Sequence, residues 1–229
     1  VLKLIQLEIR KHKITGYVIG AFIAMACIFG LICSIAFDPS SSEDLPDFKA
    51  LFSTIDIFTR GTFIVFAAVL LSRFIIEEYR TKSISVLFTY PISRKKLIIA
   101  KLFIVFSFTF ISIVITDLVV STLMLVVNRY HEFMHETLTK DVVIWQVLSF
   151  LMNAIAASFM SLIPLFFGMR KYSTAATIVT SILIIFIVCS NSNGFSLNSI
   201  VAIPITLSWI GAIIAYASFR NIERKDINP

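Results

Sequence analysis

Six long apolar runs dominate this chain, at residues 14–37, about 58–76, 97–127, 144–169, 174–189 and about 200–219. A hydrocarbon core about 30 Å thick is crossed by roughly 20 helical residues. Inside it every backbone N–H and C=O must find its partner within the segment, which an α-helix provides. The runs therefore predict an all-α polytopic membrane protein with six transmembrane helices. The third and fourth runs are long enough to tilt or project beyond the hydrocarbon, and the fifth is short enough to need bilayer thinning or a broken geometry. Composition points the same way. Of 229 residues, 58% are hydrophobic and 15% charged, whereas a soluble chain carries about 25% charged residues. With a mean hydropathy of +0.91, a soluble domain is excluded.

The net charge of +6 is read through its distribution, since Lys and Arg near span ends set orientation. Lys3, Arg10, Lys11 and Lys13 precede the first run, and Arg73, Arg80, Lys82, Arg94, Lys95, Lys96 and Lys101 surround the second connection. Arg170 and Lys171 form the fourth connection, and Arg220, Arg224 and Lys225 follow the sixth run. These fall on one side. The other keeps Lys49, Arg60, Arg129 and Lys140 among the acids Asp38, Glu43, Asp44, Asp47, Asp56, Glu132, Glu136 and Asp141. Both termini are expected to be cytoplasmic.

Residues 1–13 place Lys3, Gln6, Arg10 and Lys13 on one helical face and Leu2, Ile5 and Ile9 on another. That pattern suits an amphipathic helix lying in the inner interface; the plainer reading is a basic flank that sets topology. Residues 14–229 then form a single transmembrane domain. The first run is longer than a signal-peptide core, so it is expected to be retained. Phe48, Leu51, Phe52, Ile55 and Phe58 recur at helical spacing and predict a short outer amphipathic helix. Ser190-Asn191-Ser192-Asn193-Gly194 signals a turn, and Pro204 suggests that the sixth run starts as a re-entrant or outer helix. Pro164 predicts a kink in the fourth run. Cys27, Cys33 and Cys189 lack metal-ligand or disulfide spacing, and no phosphate-binding loop occurs.

The most informative stretch is the inner connection from Glu77 to Lys96. It opens on two acids and closes on cations, and places Ile84, Leu87 and Phe88 on one helical face. Pro91 ends that helix, because its ring removes a donor and disfavours α geometry at Tyr90. Ser93 can cap the next helix. A short helix with an apolar ridge and flanking charges suits docking of a partner; a positive-inside loop with a proline turn is the alternative.

Glu77, Glu78, Leu87, Pro91, Ile92, Ser93, Arg94 and Lys101 resemble the inner-loop pattern of type 2 ATP-binding-cassette (ABC) exporter permeases, including those found near peptide-toxin export and bacteriocin-immunity systems. That pattern is an acidic pair, Gly-Thr, a Leu-rich turn, Pro-[Ile/Val]-[Ser/Thr]-Arg, and a Lys about seven residues beyond the Arg. Lys82-Ser83 stands where the family has Gly-Thr. The resemblance extends over the whole chain through its six spans, inside termini and amphipathic first helix. It implies that residues 77–96 form a coupling helix seated in a cleft of a separate ATPase subunit. The coupling residues would be Glu77, Glu78, Tyr79, Arg80, Leu87, Phe88, Pro91, Ser93, Arg94 and Lys101. It further implies two ATPase subunits per complex, which hold the ATP and Mg while this chain carries no cofactor. The second permease would be another copy of this chain, making a homodimer, or a relative. The cargo would be hydrophobic or amphipathic, with a peptide such as a toxin or antimicrobial peptide favoured over drugs or lipids. The site of action would be a bacterial cell membrane, with no role for nucleic acid.

Two further features carry chemistry. His131-Glu132-Phe133-Met134-His135 fits H-E-x-x-H, which on a helix presents two zinc ligands and a general base. The competing reading it supports is a membrane metalloprotease. Against it, no third His follows at ligand spacing, and after Glu136 Asp141 is the one later acid on that side. Asp117 lies inside the third run beside Thr116, Ser121 and Thr122. An ionised Asp at a helix centre costs about 3 kcal/mol on insertion scales, so this residue is expected to face protein or water. It is either a pathway or gating residue or an interhelical hydrogen-bond partner, with Asn153 as a candidate donor.

Overall fold

A computed structural model describes residues 8, 15–37, 47–81, 94–131, 140–171, 173–189, 191–192, 195–196, 209, 211 and 213. Helix α1 (Thr15–Ala36) is apolar on all sides. Helix α2 (Phe48–Leu71) runs through a π-helical turn (Ser72–Ile76) into a last α-helical turn, Glu77–Arg80. Helix α3 spans Arg94–His131, α4 Lys140–Met160, α5 Ile163–Lys171 and α6 Thr174–Cys189. Among the described residues, four segments are long and apolar enough to cross a bilayer: Thr15–Ala36, Phe48–Arg80, Lys96–His131 and Val142–Arg170. The fifth run is a shorter apolar helix, Thr174–Phe186. Of the sixth run, Trp209, Gly211 and Ile213 are described, all helical. Of the amphipathic segment 1–13, Glu8 is described, also helical. The remainder of both segments lies outside the described residues.

Helix α2 is central, packing on α1, α3, α4 and α6. At its Phe48 end, Phe48, Leu51, Phe52 and Ile55 bury against Ile28 and Ile32 of α1, Val120 and Met124 of α3 and Phe150 of α4. The expected outer amphipathic helix and second span are therefore one continuous helix. The reason lies in the spacing: the apolar stripe starting at Phe48 keeps its register past Phe58, and no breaker interrupts it. This also corrects the placement of Asp56 and Arg60. Read as charges of an outer connection, they lie within a membrane-length helix and are buried. Midway along, Phe63 and Ile64 meet Ile113 of α3 and Ala154 and Ala157 of α4. Toward the Arg80 end, Leu70, Leu71, Phe74 and Ile75 pack with Ile98, Leu102 and Val105 of α3 and with Leu162 and Leu165. Several buried hydroxyls on these helices are satisfied by their own backbone, as where Thr109 donates to the Val105 carbonyl at 2.8 Å and Ser158 to that of Ala154 at 2.7 Å.

Instead of kinking at Pro164, the fourth run breaks just before it. Pro164 has no N–H to offer the Met160 carbonyl. Leu162 N–H closes a tight turn on Phe159 O at 3.1 Å, and Leu165 N–H bonds Leu162 O at 3.2 Å as α5 begins. The turn signal after α6 corresponds to a two-residue antiparallel ladder, Asn191 opposite Ser196 and Ser192 opposite Phe195.

Gly211 ties the last run to α4. A Cβ added there would stand 2.3 Å from the Phe159 carbonyl oxygen and 2.8 Å from its carbon. Backbone in a packed helix cannot swing aside as a side chain can, so Gly211→Ala is expected to destabilise by about 1–3 kcal/mol, the usual range for overpacking. A thermal melt of the purified chain in detergent checks this, and an unchanged midpoint would contradict the contact.

Candidate functional site

Two buried polar clusters interrupt the apolar core. The first lies where α2 ends and α3 begins, bracketing residues 82–93. Tertiary packing at this end turns the helical repeat of α2 so that Glu78 is buried while Glu77 and Arg80 are exposed and Tyr79 is half-buried among apolar residues. Seven residues into α3, Lys101 is also buried, at 2% exposure. Its ammonium forms an ion pair with the Glu78 carboxylate and donates to the Phe74 carbonyl at 2.8 Å. Glu8 reaches the same ammonium at 3.7 Å, bringing the N-terminal segment to this point. Phe74 sits within the π-helical turn, where the widened hydrogen-bond ladder lets a side chain enter. A lysine is tolerated here because it is paired; a lone buried ammonium would carry its whole desolvation cost.

Glu78 and Lys101, expected as coupling residues, thus meet each other across the base of the connection. They hold its two ends together rather than projecting from it. Glu77 and Arg80 are the exposed members of that set. Arg94 is the first residue of α3. Leu87, Phe88, Pro91 and Ser93 lie outside the described residues.

The second cluster joins α2, α3 and α4. Arg60 Nη2 pairs with Asp56 Oδ2 at 2.7 Å, one helical turn apart, and Arg60 Nε donates to the Asp56 carbonyl at 3.3 Å. Asn153 Nδ2 donates to Asp56 Oδ2 at 2.9 Å. Asn153, a candidate donor to Asp117 from sequence, thus donates to Asp56 instead. Asp117 of α3 is fully buried beside Thr59, within electrostatic reach of Asp56 and Arg60. Reading by sequence missed Asp56 and Arg60. The available signal was their i, i+4 spacing, which lets opposite charges neutralise each other on one helix face.

Between α1 and α3 runs an apolar groove of about 230 Å3, lined by Val18, Phe22, Met25, Phe63, Ile111 and Ile115 among others, with Thr116 at its polar edge. Its rim is exposed: Phe22 at 57% and Ile111 at 53%. The H-E-x-x-H candidate begins at the last residue of α3. His131 is exposed and meets Phe37 edge-on, with ring centroids 5.2 Å apart. Residues 132–139, including His135, lie outside the described residues. Among the described residues no three His, Cys, Asp or Glu side chains gather as a metal site.

Residues 4–188 match the family described as ABC-2 family transporter protein. The chain belongs to this family. The expected resemblance to type 2 ABC permeases is thereby shown, and an ABC-2 chain with several membrane-length helices is a membrane transport protein. The Bacillus subtilis (strain 168) protein YcbO, itself uncharacterized, is 38% identical over 228 residues, covering 98% of this chain and 100% of YcbO. No solved structure matches.

Proposed function

We propose that this chain is the membrane-spanning subunit of an ATP-driven exporter, moved between inward- and outward-open states by a separate ABC ATPase. The observation that carries the reading is the buried Glu78–Lys101 pair at the base of residues 82–93, in a chain of the ABC-2 family. Force applied to a loop moves the helices behind it only if its two ends are held together. Here both ends are fastened to one another and to the π-helical turn of the central helix. The excess of Lys and Arg around this connection supports a cytoplasmic position for it and for both termini. Rigid-body rocking of two membrane subunits, each seated on one ATPase, is the transition that such a lever suits. The second membrane subunit is another copy of this chain or a relative.

The cargo is hydrophobic or amphipathic, with a peptide favoured. The groove between α1 and α3 supports this, since its apolar walls open on an exposed face and it runs to Thr116, next to the buried cluster at Asp117. Co-expression with an ABC ATPase from the same organism is expected to yield a stable complex. In proteoliposomes that complex should move a fluorescent amphipathic peptide in an ATP-dependent way. Absence of both complex and transport with every such ATPase would sink the proposal.

A further inference from the structure

We propose that Asp117, with Thr59, Asp56 and Ser121, forms a binding site for one small monovalent cation, a proton or Na+, within the membrane-spanning bundle. Asp117 is 0% exposed, Thr59 0%, Asp56 3% and Ser121 7%. Both carboxylate oxygens of Asp117, Oδ1 of Asp56 and the hydroxyls of Thr59 and Ser121 have no hydrogen-bond partner among the described residues. Thr59 is the hydroxyl nearest in interaction to the Asp117 carboxyl. Ser121 follows one helical turn beyond Asp117 on the same face of α3. Every orphaned atom here is an oxygen. Buried polar atoms are normally partnered, and carboxylate and hydroxyl oxygens gathered with no N–H donor to these atoms suit a hard cation.

The charge count points the same way. The cluster brings together two carboxylates and one guanidinium, and the guanidinium is committed to Asp56, whose other contact is Asn153. Among the described residues, the cation within electrostatic reach of Asp117 is Arg60, which already pairs with Asp56. Helices α1 and α6 carry no Asp, Glu, Lys or Arg, and the charged residues of α4 are Lys140 and Asp141 at its start. One negative charge is left over, which a monovalent cation cancels and a divalent ion overshoots. Ionisable residues at such depth mark ion pathways or find a counter-charge.

Dicyclohexylcarbodiimide tests the site on the full-length chain in nanodiscs. A carboxyl O–H adds across one C=N bond of the reagent, its proton passing to nitrogen. The acyl group then migrates from oxygen to the other, unprotonated nitrogen as the C–O becomes the urea carbonyl, giving a stable N-acylurea, and no group leaves. Mass spectrometry is expected to map the adduct to Asp117 and to find none there in Asp117→Asn. Protection by Na+ at fixed pH identifies Na+ as the occupant; labelling that ignores Na+ but falls as pH rises identifies a proton. The melting temperature is read in parallel. The wild-type midpoint should rise by several degrees with the occupying cation, added as Na+ or by lowering the pH, while Asp117→Asn stays flat in that titration. This comparison is decisive alone if the reagent cannot enter the site. Wild type and Asp117→Asn responding in parallel to both titrations would overturn the proposal. No ATPase enters either measurement, so failure here leaves the exporter reading standing.

Discussion

Lys101→Met is expected to cost about 3–5 kcal/mol of stability, the range for removing one partner of a buried ion pair. In a chain of this size that corresponds to roughly 10 °C of melting temperature. The buried aliphatic stem of Lys101 is replaced in volume by Met. What is lost is the ammonium that faces Glu78, Glu8 and the Phe74 carbonyl together. Two carboxylates then remain in a buried site. Adding Glu78→Gln to Lys101→Met removes one of them and should restore part of the loss. A double-mutant cycle in detergent reads this as a coupling energy of at least about 1 kcal/mol, as residues in direct contact show. An additive pair would mean that the two side chains do not meet.

Asp56→Ala is the second large effect, again about 3–5 kcal/mol. The Asp56 carboxylate accepts from Arg60 and from Asn153, which lies on another helix 97 positions away in sequence. Its removal takes the counter-charge from a guanidinium that is 2% exposed and severs a cross-helix hydrogen bond. Asp56→Asn keeps the shape and some hydrogen bonding, so it should fall between wild type and Asp56→Ala. Thermal melts of the three proteins check the order. A loss below about 1 kcal/mol for Asp56→Ala would mean that Arg60 is solvated, as exposed pairs contribute no more than that.

Much of the fold was legible because membrane helices must satisfy their own backbones, so length and apolarity mark them directly. The runs at 14–37 and 174–189 nearly coincide with Thr15–Ala36 and Thr174–Cys189. The start of α2 was misread for a physical reason. Asp56 and Arg60 interrupt the apolar signal in sequence, while in space they cancel each other and face Asn153. A span with its charge pair satisfied internally looks like a loop to any composition-based reading. The break before Pro164 was half legible: proline forbids one hydrogen bond, but whether the helix bends or stops depends on neighbours that supply the tight turn. At the candidate site, spacing picked out Glu78 and Lys101. Their pairing with each other was hidden, because it depends on the antiparallel packing of α2 and α3 and on the π-helical turn between them.

In the proposed function, residues 82–93 are the place where a motor acts on this membrane subunit, and that role can be measured. It is tested most directly by ATP hydrolysis in proteoliposomes holding the partner ATPase with either the wild-type chain or one whose residues 83–92 are replaced by a Gly-Ser linker of equal length. Leaving Glu78 and Lys101 in place preserves the buried pair, so the altered chain should still fold and insert. The expected result is loss of cargo-stimulated hydrolysis, with the ATPase's basal rate unchanged. Stimulation at the wild-type level through a featureless linker would contradict the account.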